Sequence, residues 1–194
     1  IIMPPTTGTV QITDAAREKL KAWVQQGGVV IGLENAITWL NTARLGKFEM
    51  KKVEEKKDTP VARPYGNIEA YTGAQQTSGA IFEATVDLTH PLLYGYYNNA
   101  MPIFKSNNLF MEKTKNAYGN PIVFTPDPLL SGYVSKENYS RLKGSSVASV
   151  SVYGQGRIIG FTDNLCFRAF WFGTNKILMN AIFYGSLIDP ASAR

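Results

Sequence analysis

Glu34, His90 and Cys166 are the residues whose types could move a proton or attack a carbon, and their neighbours decide which chemistry is open to them. Glu34 lies in Gly32-Leu33-Glu34-Asn35-Ala36, a tight turn between an apolar run and a helical one. A carboxylate at the carboxyl end of a buried strand lies where open α/β folds bind ligands. There Glu34, with Asn35 beside it, can accept a ligand amine or hydroxyl, or act as a general base. The other reading makes it a first-turn acid favoured by the helix dipole. His90, before Pro91 at a strand end, is the chain's one histidine and titrates near neutral pH. It reads either as the partner of Glu34 in a divergent hydrolase or as a polar residue fixing a turn. Cys166 adjoins Phe167, with Arg168 as its local cation, and reads as a buried small hydrophobe rather than a reactive thiol. Asp163, Asn164, Arg168 and Trp171 form a second cluster. Arg168 can clamp a carboxylate with two hydrogen bonds, and Trp171 can stack on a sugar or a peptide ring. Alternatively, an Arg-Asp pair locks the loop before the last helix.

The counts remove other chemistry. One cysteine excludes an internal disulfide framework and any multi-cysteine zinc site, and one histidine excludes any metal site that needs two. No metal site and no cofactor are therefore expected in this chain. Its net charge is +5, from 20 Lys and Arg against 15 Asp and Glu. The densest run, Lys47 to Asp58, mixes both signs and reads as a solvated, mobile loop. No Arg-rich arm or aromatic RNA-binding signature accompanies it, so nucleic acid is not an expected partner. No apolar stretch approaches the roughly 20 residues needed to span a bilayer.

These side chains need elements to position them. The 194 residues suit a single domain, 1–194. The chain opens inside an apolar segment, Ile1-Ile2-Met3 before Pro4-Pro5, like the end of a strand; it reads as a piece of a longer protein. Thr13-Asp14 caps a helix carrying Leu20, Trp23 and Val24, and Gly27-Gly28 ends it. Val29 to Ile31 is a short buried strand, and Ile37, Trp39 and Leu40 mark a second helix. Strand, helix, strand, turn, helix predicts a doubly wound α/β unit. Residues 43–78, rich in charge and proline, read as an insertion or long loop. Ile81, Glu83, Thr85 and Asp87 alternate with Phe82, Ala84, Val86 and Leu88 in a two-faced strand. Short strands follow at Pro102–Phe104 and Pro121–Phe124, then a helix at Lys136–Leu142. Val147–Tyr153 and Arg157–Phe161 form a hairpin around Gly154-Gln155-Gly156, and a last helix starts at Thr174. The aromatic string Tyr94, Tyr96, Tyr97, Phe104 and Phe110 reads as a docking surface or as ordinary core and rim.

The stretch LKAWVQQGGVVIGLENAITWL, Leu20 to Leu40, resembles the helix, buried strand and elbow of class I glutamine amidotransferase-like domains. His90-Pro91 to Gly95 is similar to the HP-x-x-x-G segment of the related trehalose-utilisation-type domains. The tail GQGRIIGFTDNLCFRAFWFGTNKILMNAIF, Gly154 to Phe183, resembles the C-terminal end of large bacterial zinc carboxypeptidase-family proteins, metallopeptidases that carry such a domain after their peptidase domain. The resemblance implies a flavodoxin-like α/β fold: three layers, a mostly parallel sheet with helices on both faces, and a β-rich excursion. It also implies an upstream peptidase domain as partner, zinc held in that domain alone, and a periplasmic or extracellular location. In active amidotransferases a cysteine occupies the elbow and a His and Glu follow the late strand. Aligned on that pattern, Glu34 stands in the cysteine's place and Phe161-Thr162-Asp163-Asn164 has no histidine. Glutamine hydrolysis through a thioester needs the thiol. The expected function is therefore that of a non-catalytic accessory domain, a pseudoenzyme that docks or presents substrate. The alternatives are a small carbohydrate- or peptide-binding module at the Glu34 edge, with ligand residues Glu34, Asn35, Asp163, Asn164, Arg168 and Trp171, or a hydrolase using Glu34 and His90.

Overall fold

The computed structural model describes residues 1–6, 12–52 and 62–193. Strand β1 (Ile2–Met3) precedes helix α1 (Asp14–Gln25), which Thr13 caps by accepting the Ala16 amide at 3.3 Å. Strand β2 (Val29–Leu33) and helix α2 (Ala36–Thr42) follow, then α3 (Ile68–Ala74). The chain continues through β3 (Ala80–Val86), β4 (Ala100–Lys105) and β5 (Ile122–Ser131). It ends with α4 (Lys136–Leu142), β6 (Ser146–Tyr153), β7 (Gly156–Phe161) and α5 (Asn175–Tyr184).

Among the described residues, seven strands join one curled mixed sheet in the order β1-β2-β7-β6-β5-β3-β4. The β1–β2 and β2–β7 pairings are parallel, whereas β7–β6, β6–β5, β5–β3 and β3–β4 are antiparallel. The expected mostly parallel sheet is therefore corrected to a mixed α/β sheet. The reason is connectivity. Parallel neighbours need a crossover of a dozen or more residues, while antiparallel ones need only a turn. The Gly154-Gln155 hairpin reverses the chain between β6 and β7, and the strands beyond it keep alternating in direction. Register shifts in β5 against both neighbours mark bulges, which bend a strand and add twist.

Around β2 and β7, alternate residues serve two cores. Val30 and Ile158 pack with Val24 of α1 and Ile37 and Leu40 of α2. Ile31 and Ile159 pack with Ile177 and Ala181 of α5, in a core that continues to Phe82, Ile122 and Phe124. In β3 the inward set is Ala80, Phe82, Ala84 and Val86, the face that the alternation predicts. The excursion over 43–78 is more ordered than a long loop where it is described. It holds α3, and Phe48 is buried, donating its amide to Asn41 Oδ1 at 2.9 Å and accepting from Asn41 Nδ2 at 2.7 Å. The charge run thus anchors a core residue, Phe48, beside the exposed Lys47 and Glu49, and its residues 53–58 lie outside the described ones.

Strand direction sorts the functional candidates. β2, β7, β5 and β4 all run one way, and β6 and β3 run the other. The carboxyl ends of β2, β7 and β4 therefore share one end of the sheet. The carboxyl end of β3 lies at the opposite end.

Candidate functional site

Glu34 immediately follows β2, and its amide donates to Phe161 O at 2.7 Å, one more rung of the β2–β7 ladder. Its carbonyl accepts from Ile37 N at 3.1 Å as α2 begins. In the two-residue turn Glu34-Asn35 that joins the elements, Glu34 takes φ 51, the left-handed region. For a residue with a side chain that costs about 1–3 kcal/mol, a cost that concentrates at functional turns.

Beside this elbow lies a buried ion pair. Lys105, the last residue of β4, is 0% exposed, and Asp163, two residues past β7, is 1% exposed. Lys105 Nζ donates to Asp163 Oδ1 at 3.0 Å, to Asn107 Oδ1 at 3.0 Å and to Leu109 O at 2.7 Å. The three protons of an ammonium are thereby all used. The other oxygen of Asp163 accepts the Thr162 hydroxyl at 2.8 Å, and Asn107 Nδ2 donates to Thr162 O at 2.9 Å. Burial lowers the Lys105 pKa, against the pull of Asp163 and Glu34. Burial, then the nearby Asp163 charge, raises the Glu34 pKa, against the opposing effect of Lys105 and a hydrogen bond with the Asn107 side chain. The cluster thus contains two carboxyl groups and one ammonium, and the ammonium's hydrogen bonds go to Asp163 rather than Glu34. Chemically it can accept donors from a ligand at Glu34 or hold a proton there.

The remaining sequence candidates divide. Asn35 is spent on structure: its Oδ1 accepts Thr6 N at 3.0 Å and its Nδ2 donates to Thr6 O. Asn164 Oδ1 accepts the Cys166 amide at 3.0 Å and fixes the turn. Arg168 lies at φ 49 with its guanidinium 5.2 Å from the Phe167 ring centre; the Asp163 carboxylate pairs with Lys105, which replaces the Arg-Asp lock. Burial pushes the half-buried Cys166 thiol up, so little thiolate forms. Trp171 packs 6.0 Å from Phe104, and Phe104 and Lys105, as neighbours on β4, point to opposite faces. Trp171 therefore packs on the face of β4 opposite Lys105. His90 follows β3 at the far end of the sheet, where its Nδ1 accepts the Leu92 amide at 3.2 Å and caps a short 3-10 turn. Burial lowers its pKa despite Asp87. The structure does not bring His90 and Glu34 together.

Sequence reasoning did not single out Lys105 or Asn107. A signal was present: along Ala100–Lys105 the inward positions are Met101, Ile103 and Lys105, a lysine ending an apolar face. A cation there must find an anion or a set of carbonyls.

No family model matches this chain, and no curated protein matches it. Among solved structures, it is similar to a ThuA-like protein from Parabacteroides merdae ATCC 43184, with a TM-score of 0.51 and 14% identity over 83% of this chain and 58% of that one. A beta-galactosidase from Rahnella sp. R3 aligns over 96% of this chain and 21% of that one, at 10% identity; its TM-score of 0.34 carries no argument. The chain thus spans 58% of the ThuA-like protein's length. The resemblance to a zinc carboxypeptidase-family domain is corrected accordingly: the similar fold is that of a ThuA-like protein. At this identity the likeness concerns architecture alone, a mixed α/β fold.

Proposed function

We propose that this chain binds a small polar ligand, a carbohydrate or a short peptide, at the Glu34 edge, and that it does not hydrolyse glutamine. The observation that carries the reading is the unequal sharing of one ammonium between two carboxyl groups. Lys105 spends its three donors on Asp163, Asn107 and Leu109, while Glu34 sits half-buried at a left-handed elbow beside them. A half-buried carboxylate is favoured by donors that displace water from it, and ligand N–H or O–H groups supply them. Glu34 at the elbow also supports the loss of thiol chemistry, because the thioester route needs a cysteine there.

Calorimetric titration with mono- and disaccharides, amino sugars and dipeptides tests the proposal. Saturable binding that Glu34→Gln weakens about tenfold, the worth of a charge-assisted hydrogen bond, supports it. Absence of binding across the panel, or equal binding by the variant, sinks it.

An accessory, docking role is a second reading, favoured by the outer face of α5 and the turn after it. Met179, Ile182, Phe183 and Leu187 are all exposed there, Phe183 at 72%. Such a contiguous apolar face fits contact with another domain or chain. On that reading Phe183→Asp lowers self-association in sedimentation and leaves the unfolding midpoint unchanged.

A further inference from the structure

A cleft of about 640 Å³ lies along the outer side of the edge strand β4, walled by Tyr96, Tyr97, Pro102, Phe170 and Trp171 and bordered by Lys176. Its volume falls within the usual range for small-molecule sites, and its composition, aromatic with few polar groups, is typical of them. It is distinct from the Glu34 cluster: none of Glu34, Lys105, Asn107 and Asp163 lines it.

Three observations define what would fit. The first is charge. Lys176 supplies a cation, and no Asp or Glu lines the cleft among the described residues. Its Nζ donates to Gly95 O at 2.9 Å and lies 5.3 Å from the Tyr96 ring centre, so two of its three protons remain for a ligand. The second is an orphan donor: Trp171 Nε1 is enclosed and has no hydrogen-bond partner. A buried donor without an acceptor calls for an explanation. The rings that flank it in sequence, Phe170 and Phe172, are 55% and 75% exposed. The third is shape. Flat aromatic faces favour a flat partner, either an aromatic ring or the C–H face of a sugar.

We infer that this cleft is a second binding site, for a ring-shaped ligand bearing a carboxylate, with the ring against Trp171 and the carboxylate on Lys176. The shared chemistry has two sources, a sugar acid or an aromatic acid, and the test separates them.

The chain is titrated calorimetrically with glucuronate and with phenylacetate, each beside its uncharged counterpart, glucose and phenylacetamide. The expected result is saturable binding of at least one acid, about tenfold tighter than its counterpart. Lys176→Gln removes that preference. Gly173→Phe supplies a steric block, because a Cβ at Gly173 meets nothing within 4 Å. It weakens acid and counterpart alike. Circular dichroism and thermal unfolding confirm that both variants are folded. Binding of glucuronate alone assigns the sugar-acid source, and binding of phenylacetate alone assigns the aromatic one. The inference is overturned if neither acid binds at millimolar concentration, if each acid binds no better than its counterpart, or if both folded variants bind as the parent does.

Discussion

Two buried cations lie at opposite ends of β7 and are satisfied in different ways. Arg157, near the amino end, donates to three backbone carbonyls: Ile188 at 2.7 Å, Gln155 at 2.7 Å and Gly156 at 3.1 Å. It ties the hairpin to the C-terminal segment, and its ligands are fixed parts of the scaffold. Lys105, at the carboxyl end, answers a carboxylate, and a second carboxyl group stands nearby. Carbonyl ligation ends at the scaffold. The ion-paired end carries charge that is not evenly matched, and there a ligand has something to complete. The same kind of buried group thus serves as a fastener at one end and as part of a candidate site at the other.

The largest expected effect breaks the ion-paired end. Asp163→Ala leaves the Lys105 ammonium buried without its anion and lowers unfolding free energy by about 3–5 kcal/mol, read by urea denaturation. Adding Lys105→Met to Asp163→Ala recovers most of that loss, because the penalty belongs to the unpaired charge. Arg157→Ala comes next, at about 2 kcal/mol for lost charged hydrogen bonds. Its signature is faster hydrogen exchange around Ile188, with Glu34 binding unaffected.

Glu34→Gln acts in the opposite sense, and by less. Folding raises the Glu34 pKa, so its contribution to stability is fully present below about pH 4.5. That contribution is lost as the pH rises through the raised value. The variant is therefore more stable than the parent at pH 7 and indistinguishable from it at about pH 3. A Glu34→Gln protein less stable at pH 7 would show the carboxylate to be part of the fastening. The smallest effect is at His90. Its pKa is lowered in the folded chain, so stability falls as the pH drops from about 6.5 toward that lower value. His90→Gln flattens this dependence, costs about 1 kcal/mol through the lost cap to Leu92, and leaves ligand binding at Glu34 intact.

Half of the candidate site was legible in the sequence, and the reason lies in range. Glu34 is announced by its own neighbours, an apolar run before it and a helical one after. Asp163 is announced by the strand it follows. Lys105 and Asn107 reach them through folding, across 58 and 55 residues of chain to Asp163 and Thr162. Local reading detects periodicity, not that meeting. The helix at Lys136–Leu142 and the strand faces of β3 were legible because capping and alternation are local. Sheet direction was not, since it depends on which strands find each other. The hairpin at Gly154-Gln155 was read correctly, yet its consequence, an antiparallel majority, runs against the doubly wound pattern of the first forty residues. Trp171 shows the same limit: its place eight residues after Asp163 suggests one site, while the alternation of β4 divides them.

The parallel pairing of β2 with β7 also has a consequence in time. Val29 lies opposite Arg157, so this pairing joins an early part of the chain to its last quarter. During synthesis β2 emerges early and waits for roughly 130 further residues, some 6–25 s at ordinary elongation rates. Until then its apolar edge toward β7 is uncovered, and pairing with another copy competes with native closure. Chaperone demand and co-translational aggregation are therefore greatest in this interval, and a circular permutation that brings β7 ahead of β2 shortens it.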